Sequence, residues 1–454
     1  MGPGISCLPP PFRRRYHYGV QRALLTLCIA SVISAASIDV RAHGAKGDST
    51  TKDTRAIQSA IDSAEKQGGG TVTIPAGRYL SGTIHLKSNV TLHLDNGAVL
   101  LASRDESDFD PYEPLDFKPP DDRETTYFHY ALLAGEKIHD VAIIGEGAID
   151  GNREKRGGPK TIALKLAERV TIRGVAVRNS PNYSISLLGC DNVVIDGVRI
   201  FNSYADGIDP DSSRFVRIAN SYVDSNDDAI CPKASFALGY RRSTEHVSVV
   251  NCTTRTNANH FKLGTESEGG FRDIVASNLT MMSRENGRRA KSGISLEMVD
   301  GGILERVAIS NITMTDPQVA IFVRLGNRAR GMEKPAAGSL HDVSIQNIIA
   351  TGLTLASSIT GLANARVSNV TLDNLNLEYE GGFTGKLPIT VEEHAAKYPE
   401  STMFGELPAW ALYARHTDGL TLRNVRVHAR QSDVRPPLVL DDVHLLGRGR
   451  LRAY

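Results

Sequence analysis

One tryptophan and five cysteines are all that this 454-residue chain holds of those types. Two of the cysteines, Cys7 and Cys28, stand near the N-terminus. The other three, Cys190, Cys231 and Cys252, form no CxxC pair and are odd in number. That excludes a disulfide framework and a thiolate metal cluster, and reads them as small buried apolar groups. Neither sign of charge is in excess: 52 Lys and Arg face 51 Asp and Glu, a net +1. Binding nucleic acid through bulk charge is therefore excluded. No apolar run reaches the ~20 residues of a membrane-spanning helix. The strongest, ALLTLCIASVISAA at 23–36, follows Arg13, Arg14, Arg15 and Arg22. A basic stretch, a short apolar run and small residues after it predict a secretory signal peptide over 1–42, cleaved near 36–42. The expectation is a secreted or periplasmic protein, free of the membrane after cleavage, with 43–454 as one domain.

What the sequence has in abundance is a repeated phrase. Apolar residues alternate with polar ones around a central Gly or Asn in VTIRGVAV (170–177), VVIDGVRI (193–200), VRIANSYV (216–223), VSVVNCTT (247–254) and IVASNLTM (274–281). The phrase returns as VAISNITM (307–314), VSIQNIIA (343–350), VTLDNLNL (370–377) and LTLRNVRV (420–427). Period-two alternation marks strands with one face inward. The central residue, at 174, 197, 220, 251, 278, 311, 347, 374 or 424, is of a type that tolerates positive φ and so permits a bend. Two strands meeting at a bend, recurring every ~20–50 residues, predict an all-β solenoid, a single-stranded parallel β-helix. The N-x-T triplets at Asn278 and Asn311 fall on that bend and read as structural.

A solenoid needs a cap. Asp53 is placed to N-cap a helix over 53–66 with Ala56, Ile57, Ala60, Ile61 and Ala64 on one face. The polar stretches 103–130 and 380–408 read as loops walling a groove.

Three carboxylates carry the chemistry. Asp206 lies nine residues after Gly197, and Asp227 and Asp228 lie seven and eight after Asn220. Successive coils thus bring all three to one side. Crowded carboxylates repel, so one should hold its proton while another stays ionised. Glycoside hydrolysis needs that pairing of acid and base. A Ca²⁺ site or solvated turn residues would use the same residue types.

Asp206-Gly207-Ile208-Asp209 followed by Asp227-Asp228, with HGAKGD (43–48), GGGTVTIPAGRYLSG (68–82) and GAIDGN (147–152), resembles glycoside hydrolase family 28, the polygalacturonases and rhamnogalacturonan hydrolases. The resemblance implies a right-handed parallel β-helix and an inverting glycosidase that uses no metal or other cofactor. It places the general acid on Asp227, the water-holding carboxylates on Asp206 and Asp228, and a supporting acceptor on Asp209.

Two departures qualify it. In NANHFKLGTES (257–267), alignment on Gly264 sets Asn259 at the family's histidine position, with His260 one place later. Alternation with Phe261 and Leu263 inward turns His260 and Lys262 toward the cleft, and makes His260 a catalytic candidate. Where the family's polygalacturonases carry Arg-Ile-Lys, this chain has Ser295-Leu296-Glu297. An anion cannot replace an arginine at a sugar carboxylate. A ladder of Lys262, Glu297 and Arg324 is the expected replacement, with Lys262 or Arg324 holding the sugar acid. Trp410, Tyr413, Tyr127 and Tyr130 are candidates to stack on sugar rings.

These observations predict a monomeric enzyme of pectic polysaccharides or oligosaccharides, other than a plain homogalacturonan endo-hydrolase. A rhamnogalacturonan or substituted-galacturonan hydrolase is the alternative within the class. A β-helix pectate lyase and a non-catalytic carbohydrate-binding solenoid remain open outside it.

Overall fold

The computed structural model describes residues 1–2, 37–285, 287–446 and 451–454. The signal-peptide expectation for 3–36 lies outside the described residues. The described residues from Ser37 onward form one compact unit. Ile38 pairs with Val72 and Val40 is fully buried, so the folded body starts upstream of the expected boundary at 43. Among the described residues no helix is long and apolar enough to cross a membrane.

Every long-range pairing between named strands is parallel, from Ile38–Asp39 to Leu451–Ala453, and the strands wind as a right-handed β-helix. The side chains stack rung upon rung. In one inward column Ile84, Leu133, Ile162, Ile185, Ile208, Ile230, Phe261, Ile294 and Ile321 are register partners in turn, each fully buried. Each such side chain contributes about 1.5–3 kcal/mol relative to an exposed one, and every rung supplies the apolar wall its neighbour needs.

The bend of the repeat is also a column. Asn220, Asn251, Asn278, Asn311, Asn347, Asn374 and Asn424 all adopt φ between 49° and 58°. Each side-chain amide donates to the carbonyl oxygen of the Asn one rung before, at 2.7–3.3 Å, and the first of them to Asp196. Asparagine suits the site twice over: it tolerates the left-handed region and carries both a donor and an acceptor.

The capping helix runs Thr54–Lys66 and buries Ile57, Ala60, Ile61 and Ala64 of its predicted face, while Ala56 at the edge of that face is partly buried. Asp53 precedes it but makes no side-chain cap. Its carboxylate accepts instead from the backbone N–H groups of Lys46 and Gly47, at 2.7 and 2.9 Å. The two long loops fold over a continuous sheet face in which Lys160–Lys165 and Ile208–Asp211 are joined to Asn259–Leu263 and Val319–Leu325 through single bridges at Ile230. In the first loop Glu113 accepts from the backbone of Phe128 and His129. In the second, Glu400 pairs with Lys291 and Tyr398 lies beside Lys262.

Candidate active site

On this sheet Asp206, Asp228, Asn259 and Ser292 fall in one column, because Gly207 donates to the Asp228 carbonyl, Ala229 to the Asn259 carbonyl, and Asn259 pairs with Ser292. Ligand atoms of Asp206, Asp228 and Cys231 lie within 4.8 Å of one another. The two carboxylates thus meet on neighbouring coils, as the spacing predicts.

Their surroundings separate them. The Asp206 carboxylate accepts from Lys233 Nζ at 2.5 Å. Burial, with Asp209 as a like charge, nevertheless holds its carboxyl well above the usual range. Burial pushes Asp228 the same way, but Lys262 and Lys233 outweigh it, together with hydrogen bonds from Lys262 and Asn259. Asp228 is held below the usual range and stays ionised. Its Oδ2 accepts from Lys262 Nζ at 3.0 Å and its Oδ1 from Asn259 Nδ2 at 2.7 Å. Each of the two carboxylates already carries an ammonium partner.

Asp227 differs from both. It sits in the turn before Asp228 with its side chain 34% exposed, and one of its oxygens accepts from Arg156. Arg156 also pairs with Glu124. Asp209 accepts from Lys233 Nζ at 3.1 Å, and burial lifts its carboxyl to about 6. It is a buried partner of Lys233.

His260 does not face the cleft. At the start of each rung two successive residues turn inward, and Gly207, Ala229, His260 and Gly293 occupy the first of those positions. A Cβ at Gly207 would stand 2.3 Å from Val223, and one at Gly293 2.3 Å from Met314 Sδ. Both directions point into the core. His260 is fully buried, its Nδ1 bonds Thr254 Oγ1 at 2.8 Å, and burial holds its imidazole down at about 3. It is a neutral core histidine, and Asn259 takes the cleft-facing place.

The expected charge ladder is also corrected. Glu297 and Arg324 are register partners, and Lys262 lies 3.7 Å from Glu297. Arg324, however, donates to the carbonyls of Glu393 and His394 at 2.7 and 3.3 Å and is 1% exposed. It fastens the 380–408 loop. Glu297 is fully buried, accepts from Ser295 Oγ at 2.6 Å, and is pushed up to about 7 by burial. Lys262 is committed to Asp228. None of the three is open to a sugar. Trp410 and Tyr413 are buried as well, Trp410 against Tyr379 in the core.

Lys233, Arg156 and Lys291 were missed from the sequence. Lys233 alternates with inward Ile230 as Cys231 does, so periodicity could have found it. Arg156 and Lys291 lie in loops, where no period applies.

Two buried carboxylates of unlike surroundings beside a more exposed third one, on one wall of a β-helix, give the acid and base groups that a carboxylate-based glycosidase needs. The chain belongs to glycosyl hydrolases family 28, whose model matches residues 66–395. It is 26% identical over 432 residues to a probable polygalacturonase of Vitis vinifera, covering 85% of this chain and 87% of that protein. It is 26% identical over 397 residues to an exo-poly-alpha-D-galacturonosidase of Dickeya chrysanthemi, covering 71% of this chain and 64% of that one. The solved family 28 exopolygalacturonase of Yersinia enterocolitica shares the fold, with TM-score 0.68, 21% identity, and 91% and 79% of the two chains covered.

Proposed function

We propose that this protein is an exported, inverting hydrolase of pectic oligosaccharides and chain ends. Asp228 takes the proton of the attacking water, Asp206 holds that water from the other side, and Asp227 protonates the leaving oxygen. The pairing of Asp206, its carboxyl held above the ordinary range, with Asp228, held below it, within 4.8 Å carries this reading. Two buried carboxylates so close cannot both ionise cheaply, and the lysines decide which does. Asp227, the exposed member, is the one a bridging oxygen can reach.

Attack at chain ends is supported by the covered floor of the groove. On the N-terminal side Lys160 and Asp209 are each 1% exposed, with the Phe128 ring 3.4 Å from Lys160 Nζ. On the C-terminal side Glu297 and Arg324 lie under the 380–408 loop. Among the described residues the floor of the groove is thus covered on both sides of Asp206 and Asp228. Ser295 and Glu297 in place of cationic residues support the same departure from a plain endo-hydrolase.

The test is product analysis on galacturonate and rhamnogalacturonan oligosaccharides. The reading expects new reducing ends of inverted anomeric configuration by NMR, no absorbance near ~235 nm, and activity that survives a chelator. Unsaturated products would show a lyase, and binding without cleavage would show a carbohydrate-binding solenoid.

A further inference from the structure

Three buried cations of the site are committed: Lys233 to Asp206 and Asp209, Lys262 to Asp228 and Glu297, Arg324 to loop carbonyls. A fourth, Lys160, is closed in under the Phe128 ring. Yet a depression of about 440 Å³ opens directly beside Asp227. Asn257, Ala258, Arg289, Lys291 and Gln318 line it with Asp227, and they come from later coils than Asp227 itself. Asp206 and Asp228 are not among its walls.

Its cations differ in kind from the buried ones. The Lys291 side chain is 42% exposed and pairs with Glu400. The Arg289 side chain is 36% exposed, donates to the Gly352 carbonyl, and lies 3.4 Å from Asp316 and 3.6 Å from Glu380. Ion pairs at such exposure contribute ~0–1 kcal/mol, so an incoming carboxylate can exchange with them. Lys291 is also close enough for Asp227 and Asp228 to stabilise its charge, which ties this wall to the reacting centre.

We propose that Lys291 and Arg289 form the carboxylate-recognition site for the uronate residue on the leaving-group side of the scissile bond. This inference rests on the hydrolase reading, with Asp227 as the acid. The group that protonates the leaving oxygen adjoins the departing sugar, and the depression extends from that group away from the water-holding pair. It supplies the cationic contact that Ser295 and Glu297 cannot.

The test uses trigalacturonate with the carboxylate of its leaving residue either free or methyl-esterified. Wild type, Lys291→Met and Arg289→Gln are compared by kcat/KM, with thermal melts confirming the fold. Wild type should favour the free acid by roughly tenfold or more. Each variant should lose about that factor on the free acid and stay within about threefold on the ester. A wild type without preference, or variants that keep it, would overturn the proposal while leaving hydrolysis intact. If wild type cleaves neither substrate, or Asp227→Asn cleaves both as well as wild type, the hydrolase reading fails and takes this proposal with it.

Discussion

Asn259 donates two hydrogen bonds to one oxygen of Asp228, from its backbone N–H at 3.1 Å and its side-chain amide at 2.7 Å. Its own carbonyl oxygen accepts from Ser292 Oγ at 2.6 Å, which fixes the amide's orientation. The ionised carboxylate is thereby aimed from the next rung, without a histidine. Asn259→Ala should lower kcat by ~10-fold or more through a misplaced Asp228, since loss of positioning alone can cost that much. His260→Ala should do the reverse. It opens a core cavity and removes the bond to Thr254, costing ~3 kcal/mol of stability, while kcat stays near wild type. Kinetics and melting curves on both variants check the exchange of roles; a His260 variant that is stable but inactive would contradict it.

The asparagine column makes a second prediction. Asn311→Ala loses ladder bonds to Asn278 and Asn347 at 3.1 and 3.0 Å. It also puts alanine at φ 58°. The expected loss is ~2–4 kcal/mol. Asn311→Gly keeps the backbone at ease and should lose only part of it. Denaturant unfolding compares the two; equal losses would show that backbone strain contributes nothing.

Fold and site were not equally legible. The column of asparagines, the inward isoleucines and the capping helix follow from period and residue type, which stacking enforces at every rung. The meeting of Asp206 and Asp228 follows from the same spacing. Strict alternation fails at His260, the second residue of the strand Asn259–Leu263, because two inward residues, His260 and Phe261, succeed each other there. Glu297 does face outward from the barrel, but alternation says nothing about a loop arriving from a hundred residues downstream to bury it. Arg324 was misread for the same reason: its partners, the carbonyls of Glu393 and His394, carry no mark in sequence.

Glu297 gives a pH signature. Its ordinary value is 4.5 and burial pushes it to about 7 in the folded protein. Between those values the unfolded chain releases a proton that the native state retains, so this group's contribution to stability is lost as pH rises through the window. Glu297→Gln has no such proton. The variant's Tm relative to wild type should therefore rise from about pH 4.5 to about pH 7.5. A difference independent of pH would contradict the assignment.

Lys233 joins two buried carboxylates, Asp206 and Asp209. Lys233→Met leaves both without their cation and should cost ~3–5 kcal/mol. Asp209→Asn in the same background should restore part of that loss, because one buried acid is removed. Thermal melts of the single and double variants decide it; a double variant no more stable than Lys233→Met would contradict the pairing.

The division of labour between Asp227 and Asp228 is tested most directly by leaving-group dependence. Asp227→Asn and Asp228→Asn are assayed on trigalacturonate and on an aryl galacturonide whose nitrophenolate departs without protonation. Asp227→Asn should lose ~10²–10⁴-fold on the sugar leaving group and far less on the aryl one, while Asp228→Asn loses activity on both. Equal losses for Asp227→Asn on the two substrates, or an Asp228→Asn variant that still turns over the aryl substrate, would contradict the assignment.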